Sequence, residues 1–325
     1  MGVWVRIFAA VFVAALVTSF DASNNSRPSP ELAGARSTPP ERRFERGGFG
    51  AEQYASSVPQ ATVPQLPGGR GQRGGRYGRG GTPAIDRTQY PQWQNDPNFQ
   101  KDVFTFARLQ YDGSGNTPDA RWNNDFPDAD LNLSFRLQQL TSLHVNPDGA
   151  VVRIDDPKLF EYPFLFMIGV TGLNLSDTEA RTLRQYLLSG GFLMVDDFWT
   201  PAEWRHIRDE MKKVFPETEA RELPPEHPIF HLIYDLKGVP RVPSIRAWQQ
   251  GHTFEYWHGD TEGDEAPHFM AYYDGQGRMV ALMCHNNDIC DGWEREGENH
   301  EYFKLFSEKW SYPLGINIIV YALTH

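Results

Sequence analysis

The sequence predicts an α/β domain built on a parallel sheet with helices on both faces, and three features carry that expectation. The first is an unbroken apolar run at 164–169 (FLFMIG), the pattern of a strand buried on both sides. The second is a complete helix signature at 176–190. Ser176 and Glu179 form a capping box, because the hydroxyl can accept the amide three residues on while the carboxylate reaches back. Ala180, Leu183, Leu187 and Leu188 then form an apolar stripe, and Gly190 ends it, where a left-handed residue is favoured. The third is a repeat of this grammar. A second apolar run at 191–195 (GFLMV) leads through Asp196-Asp197 to a second capping box, Thr200 and Glu203, with Pro201 in the first turn. Strand, helix, strand, helix with short connections requires a parallel sheet.

The flanking elements follow in order. Residues 103–110 (VFTFARLQ) read as the first strand. Residues 128–143 carry Leu133, Leu137 and Leu140 at helical spacing, and 150–154 read as a short strand. The helix after Thr200 turns Trp204, Ile207, Met211, Val214 and Phe215 inward and stops at Pro216. Residues 268–273 and 278–284, joined by a turn at 274–277, predict a β-hairpin in the less regular second half. Residues 312–323 (YPLGINIIVYAL) read as a closing helix.

The N-terminal third is of another kind. Residues 7–17 (IFAAVFVAALV) follow Arg6 and have the length of a signal-peptide core. Val17 and Ser19 suit cleavage after Ser19; an uncleaved anchor over 3–20 is the alternative, interrupted by Arg6. The expectation for 1–22 is therefore export, to the periplasm or the cell exterior. Residues 23–100 are rich in Pro, Gly and Arg and read as a disordered linker, because they offer too little apolar surface to offset the entropy of ordering. Its segment 67–81 (PGGRGQRGGRYGRGG) is a basic tether for envelope proteins or anionic envelope polymers, or a plain solvated spacer. The net charge of −11 divides unevenly: residues 23–90 hold ten Arg, no Lys and five acidic residues, whereas 91–325 carries −16. An acidic body speaks against nucleic acid as its ligand. After signal cleavage no membrane span is expected.

The segments FARLQY (106–111), WNND (122–125), YPFLFMIG (162–169), YLLSGGFLMVDDFW (186–199), HPIFHLIYDL (227–236), HNNDICDGWE (285–294) and YPLGINIIVYALT (312–324) together resemble a bacterial family, domain of unknown function 4159. The resemblance spans roughly residues 103–324. It implies a flavodoxin-like three-layer sandwich similar to class I glutamine amidotransferases, without an established activity. In those enzymes a nucleophilic Cys occupies a strand-to-helix elbow. Here the matching turn presents Asp196, Asp197 and Phe198, so glutaminase chemistry is not expected.

The candidate site residues are mostly carboxylates and histidines. Asp196 and Asp197, paired at a strand end where parallel sheets bind ligands, are the candidates for a divalent cation. His227 and His231 are four apart, but Pro228 holds His227 extended and opposes a shared helical face. Asn287, Asp288 and Asp291 follow the hairpin and suit a hard cation or a hydroxylated ligand, or simply a capped turn. Asp112 and Trp122 flank a loop with Gly113, Ser114 and Gly115 that lacks the nucleotide and flavin patterns. His252, Trp257 and His258 are too scattered in sequence to group. Cys284 and Cys290, the only cysteines, are a disulfide candidate in an oxidising compartment. Two functions remain: a non-catalytic ligand- or protein-binding domain of the envelope, or a metal-assisted hydrolase of an envelope glycan or peptide. The hydrolase requires the acidic side chains to converge, and the binding scaffold requires them to be dispersed.

Overall fold

The computed structural model describes residues 85–99, 102–113, 117–118 and 120–325. The export segment 1–22, the linker up to residue 84 and Ser114-Gly115 lie outside the described residues. Seven strands form the main sheet: β1 (Ala107–Gln110), β2 (Ala150–Arg153), β3 (Phe164–Met167), β4 (Phe192–Phe198), β5 (Arg221–Glu222), β6 (His268–Tyr273) and β7 (Met279–His285). Their order is β2-β1-β3-β4-β7-β6-β5. The five strands from β2 to β7 in that order run parallel. β6 is antiparallel to β7, completing the expected hairpin, and β5 is antiparallel to β6.

Alternation along the strands sorts their side chains into two apolar layers. Phe164, Phe166, Phe192 and Met194 face one side, where they meet Leu133 and Leu137 of α1 (Asp128–Leu140) and Ile316 and Ile319 of the closing helix (Tyr312–Thr324). Leu165, Met167, Leu193 and Val195 face the other, against Leu183 and Leu187 of α2 (Asp177–Leu188) and Ile207 and Met211 of α3 (Thr200–Val214). The result is the expected helix–sheet–helix sandwich. Among the described residues no helix is long and apolar enough to cross a membrane.

The Ser176 capping box forms with both of its reciprocal bonds. Other expectations need correction. The first strand breaks into Val103–Phe104, paired with His144–Val145, and β1, paired with β2. The turn at Asn146-Pro147-Asp148-Gly149 interrupts its partner; Pro147 has no N–H to give and Gly149 is left-handed (φ 59°). Residues 85–99, read from sequence as part of the linker, pack on the domain. Trp93 Nε1 donates to the carbonyl of Val145 (2.7 Å) and its ring packs near Phe135, while Tyr90 Oη donates to Asp128 (2.7 Å). Aromatic rings with polar tips thus anchor 85–99 to the domain.

At the other end of α2, β4 does not stop before the aspartates but runs through them to Phe198. An extra residue interrupts its pairing with β7 between Val195 and Phe198, and Asp197 takes a left-handed conformation (φ 53°) there. The second capping box is rearranged. Thr200 is itself left-handed (φ 65°) and sends its N–H to Asn286 Oδ1 (3.0 Å). Glu203 Oε2 accepts the amide of Trp199 instead (2.7 Å).

Candidate functional site

Three loops converge beyond the C-terminal ends of the parallel strands. The loop after β1 brings Asp125, also left-handed (φ 59°). Its course is set from below by Arg108 of β1, whose guanidinium Nη1 donates to the carbonyls of Trp122 (3.1 Å) and Asn124 (2.9 Å). Gly169, after β3, permits close passage of this loop: a Cβ there would stand 2.6 Å from the Arg121 carbonyl oxygen. The end of β4 supplies Asp196 and Asp197. The segment after β7 supplies Asp288 and Cys290 and then the short helix Asp291–Glu294. A fourth segment, around Tyr256–His258, adds Glu255 and His258.

These side chains form three groups, and within each the nearest potential ligand atoms lie within 4.8 Å of one another: Asp125, Asp288 and Cys290; Asp125, Asp291 and Glu294; and Asp197, Glu255 and His258. Two of the groups contain their own cation. In the third-named group His258 uses Nδ1 toward Glu203 Oε1 (2.8 Å) and Nε2 toward Glu255 Oε2 (3.3 Å). Burial opposes its charge, but the bonds to Glu203 and Glu255 and the field of Asp197 outweigh that, and His258 rises to about 10. With both ring nitrogens directed at carboxylates, it serves this group as its resident cation. In the second group Arg295 Nε approaches Glu294 Oε2 (2.7 Å) and Asp291 Oδ1 (3.3 Å). Asp291 also accepts the amide of Ile245 (2.6 Å) and the hydroxyl of Tyr302 (3.1 Å), which makes it a structural pin.

The first group contains no such cation. Among the described residues no Lys, Arg or His pairs with Asp125, Asp196 or Asp288. Cys290 Sγ lies 3.3 Å from both Asp125 Oδ2 and Asp288 Oδ1. Asp196 stands beside it and accepts the Cys290 amide at Oδ2 (2.8 Å), while its Oδ1 has no hydrogen-bond donor although the residue is 0% exposed. Burial pushes Asp196 up to about 7 and Asp288 well above the ordinary carboxylate range, the latter with help from Asp197 and Asp291. Burial, then Asp288 and Asp125, likewise push the Cys290 thiol up, so it is no thiolate nucleophile.

The candidates read from sequence divide accordingly. Asp196, Asp197, Asp288 and Asp291 all reach the crevice, yet Asp196 and Asp197 do not act as one chelating pair. The extra strand residue sends Asp197 to Trp199 Nε1 (3.2 Å) and the His258 group, and Asp196 to Cys290. Asn287 is a clamp: its only ligating oxygen accepts the Val242 amide (2.9 Å). Asp112 is held by Arg153 (2.9 Å) and the Trp122 ring lies in the core, so neither contributes. His227 caps the short helix Pro228–Phe230 by accepting the Ile229 amide (3.2 Å) and packs on Tyr321. His231 bonds Asp235 (2.7 Å) and the Pro225 carbonyl (2.9 Å) near the surface. Neither histidine joins the acidic groups.

The disulfide is likewise absent, both cysteines being free and buried. Cys284 packs in the apolar layer with Leu282, while the Cys290 thiol is taken by carboxylates. Asp125, Glu203, Glu255, His258 and Glu294 were not singled out from sequence as site residues, and Cys290 was read only as a disulfide candidate. Asp125 closes the WNND segment, and Cys290 and Glu294 sit within HNNDICDGWE. Glu255 and His258 carry no sequence signal beyond their residue type.

Fold and crevice define an α/β domain with a buried acidic site at the strand ends. The chain belongs to the family described as domain of unknown function (DUF4159), whose model matches residues 105–323. No curated protein matches the chain.

Proposed function

We propose that this is a cation-dependent ligand-binding domain of an exported cell-envelope protein, in which Asp125 and Asp288, backed by Asp196, hold a divalent cation. One observation carries this reading: Asp196 Oδ1 is wholly buried without a donor, beside the acidic group whose Asp288 and Cys290 have no paired cation among the described residues. Buried carboxylates without a counter-charge cost several kcal/mol or stay protonated, and a bound cation removes that cost. The bound ion would then hold a ligand rich in oxygen at the mouth of the crevice. The order of the parallel strands, second-first-third-fourth-fifth along the chain, supports the flavodoxin-like reading, for which this edge is the ligand edge. The segment 1–22 supports export, and the basic tether supports contact with envelope proteins or anionic polymers rather than nucleic acid.

The test is calorimetric titration of the metal-freed full-length protein with divalent cations, with Asp288→Asn as control. Saturable binding at a single site that the substitution weakens at least tenfold is expected. No binding of any divalent cation would overturn the reading.

A second reading, metal-assisted hydrolysis of an envelope glycan or peptide, draws on the convergence of the acidic side chains, which departs from the dispersed arrangement expected of a scaffold, and on Asp196 at about 7. Such a value suits proton transfer near neutrality. Cation-dependent release of fragments from envelope polymer is its expected result.

A further inference from the structure

We infer that Cys290 is itself a ligand of the cation, so that the site selects a thiolate-accepting divalent ion of the zinc class over magnesium or calcium. This rests on the cation site proposed above and names its metal.

Four observations converge on it. Cys290 is fully buried, and its sulfur has two carboxylate oxygens, from Asp125 and Asp288, each at 3.3 Å. A sulfur and an oxygen bound tetrahedrally to one zinc ion stand about 3.6 Å apart, given bonds of about 2.3 and 2.1 Å. Little movement is therefore needed to admit the ion. The turn that carries the sulfur is also held: the Cys290 amide donates to Asp196 Oδ2 (2.8 Å), and the Asp291 amide donates to Asp288 Oδ1 (3.0 Å), so Cys290 and the Asp288 carboxylate belong to one turn. Asp196 Oδ1, buried and without a donor, provides further negative charge beside the sulfur. Finally, the donor count is too small for calcium, which takes about 6–8 oxygens. Asp125, Asp288 and Cys290 supply three donors and leave one position for water or ligand, the pattern of an open zinc site.

Binding replaces the S–H bond of Cys290 with a sulfur–metal bond and releases the proton to solvent. No electron is transferred. A hard ion gains little from sulfur, whereas a borderline ion gains a strong ligand. The thiol thus acts as the discriminating element among the divalent ions of the envelope.

Cobalt(II) reports this directly, because thiolate ligation produces a sulfur-to-cobalt charge-transfer band. Full-length protein stripped with a chelator is titrated with cobalt, then zinc, magnesium or calcium. The expected result is a charge-transfer band that zinc abolishes at stoichiometric amounts and magnesium and calcium leave in place. Cys290→Ser is expected to lose the band and to weaken zinc at least tenfold relative to calcium. Only two cysteines exist, so Cys284→Ser provides a second arm should Cys290→Ser fail to fold: a band that survives it belongs to Cys290. Cobalt binding without the band, or a band lost in Cys284→Ser and kept in Cys290→Ser, overturns the inference and leaves the cation site standing. Absence of any cation binding overturns both.

Discussion

Arg108–Asp130 and the Asp125–Asp288–Cys290 group meet at the loop after β1, the first holding its carbonyls and the second taking Asp125 from it, and both bury charge, yet they solve the problem in opposite ways. Arg108 is completely buried, and its donors are used: Nε toward Asp130 (3.0 Å) and Nη1 toward two loop carbonyls. The pair is closed, with nothing left over for a ligand. The acidic group has thiol and amide donors but no cation, and beside it Asp196 keeps an oxygen without a partner. The closed pair holds the loop so that the open group keeps its shape, and burial alone therefore does not separate a structural charge from a functional one. What separates them is whether each buried charge already has its partner.

Three substitutions break or sharpen this contrast. The largest effect is expected from Arg108→Ala, which strands Asp130 in the core. It is expected to cost about 3–5 kcal/mol, read by chemical denaturation; a loss below about 1 kcal/mol would mean that the loop stands without its clamp. The open group should respond with the opposite sign. Asp196→Asn keeps an oxygen for the Cys290 amide and removes a buried negative charge, so the chelator-treated protein should gain about 1–3 kcal/mol at neutral pH. If the variant is less stable than wild type under chelation, Asp196 has a partner of its own. The smallest effect concerns the group centred on His258, which Glu203, Glu255 and Asp197 face. Its pKa is raised in the folded state to about 10, above the ordinary value of about 6.5. Its contribution is therefore complete below about pH 6.5 and is lost as pH rises through 10. Wild type should lose stability over that range where His258→Gln does not. Parallel stability curves for the two proteins would remove His258 from the role of resident cation.

The difference between these regions also governs what the sequence could reveal. The stretch from Phe164 to Val214 was legible almost residue by residue, because period, caps and turn residues are local signals. Ser176, Glu179 and Gly190 act within one helix, and the chain itself states their partners. The site is assembled from residues as distant as Asp125 and Cys290, and no local pattern connects them. The paired aspartates were visible for their place at a strand end, but not their divergence, which depends on one extra residue in β4 relative to β7. His258 was invisible for a related reason. Its significance lies in Glu203, which reads in sequence as the far half of a capping box and in the structure bonds an imidazole as well. Asn287 shows the reverse error, a polar side chain in a polar loop that serves the backbone of a distant segment.

The extra residue in β4 has one more consequence, for the phase of the strand. Leu193 and Val195 enter the layer under α2 and α3, and strict alternation would send position 197 after them and Phe198 to the opposite side. Instead Phe198 joins Leu193 and Val195 in their layer, and Asp197 is the residue at which the count slips. Deleting it would restore a regular ladder and leave the phenyl ring in that same layer, so the extra residue serves the crevice edge, where it parts the two aspartates, and not the core. Position 197 should accordingly accept Asn or Gly, which are at ease with a left-handed backbone, far more readily than a β-branched residue such as Val.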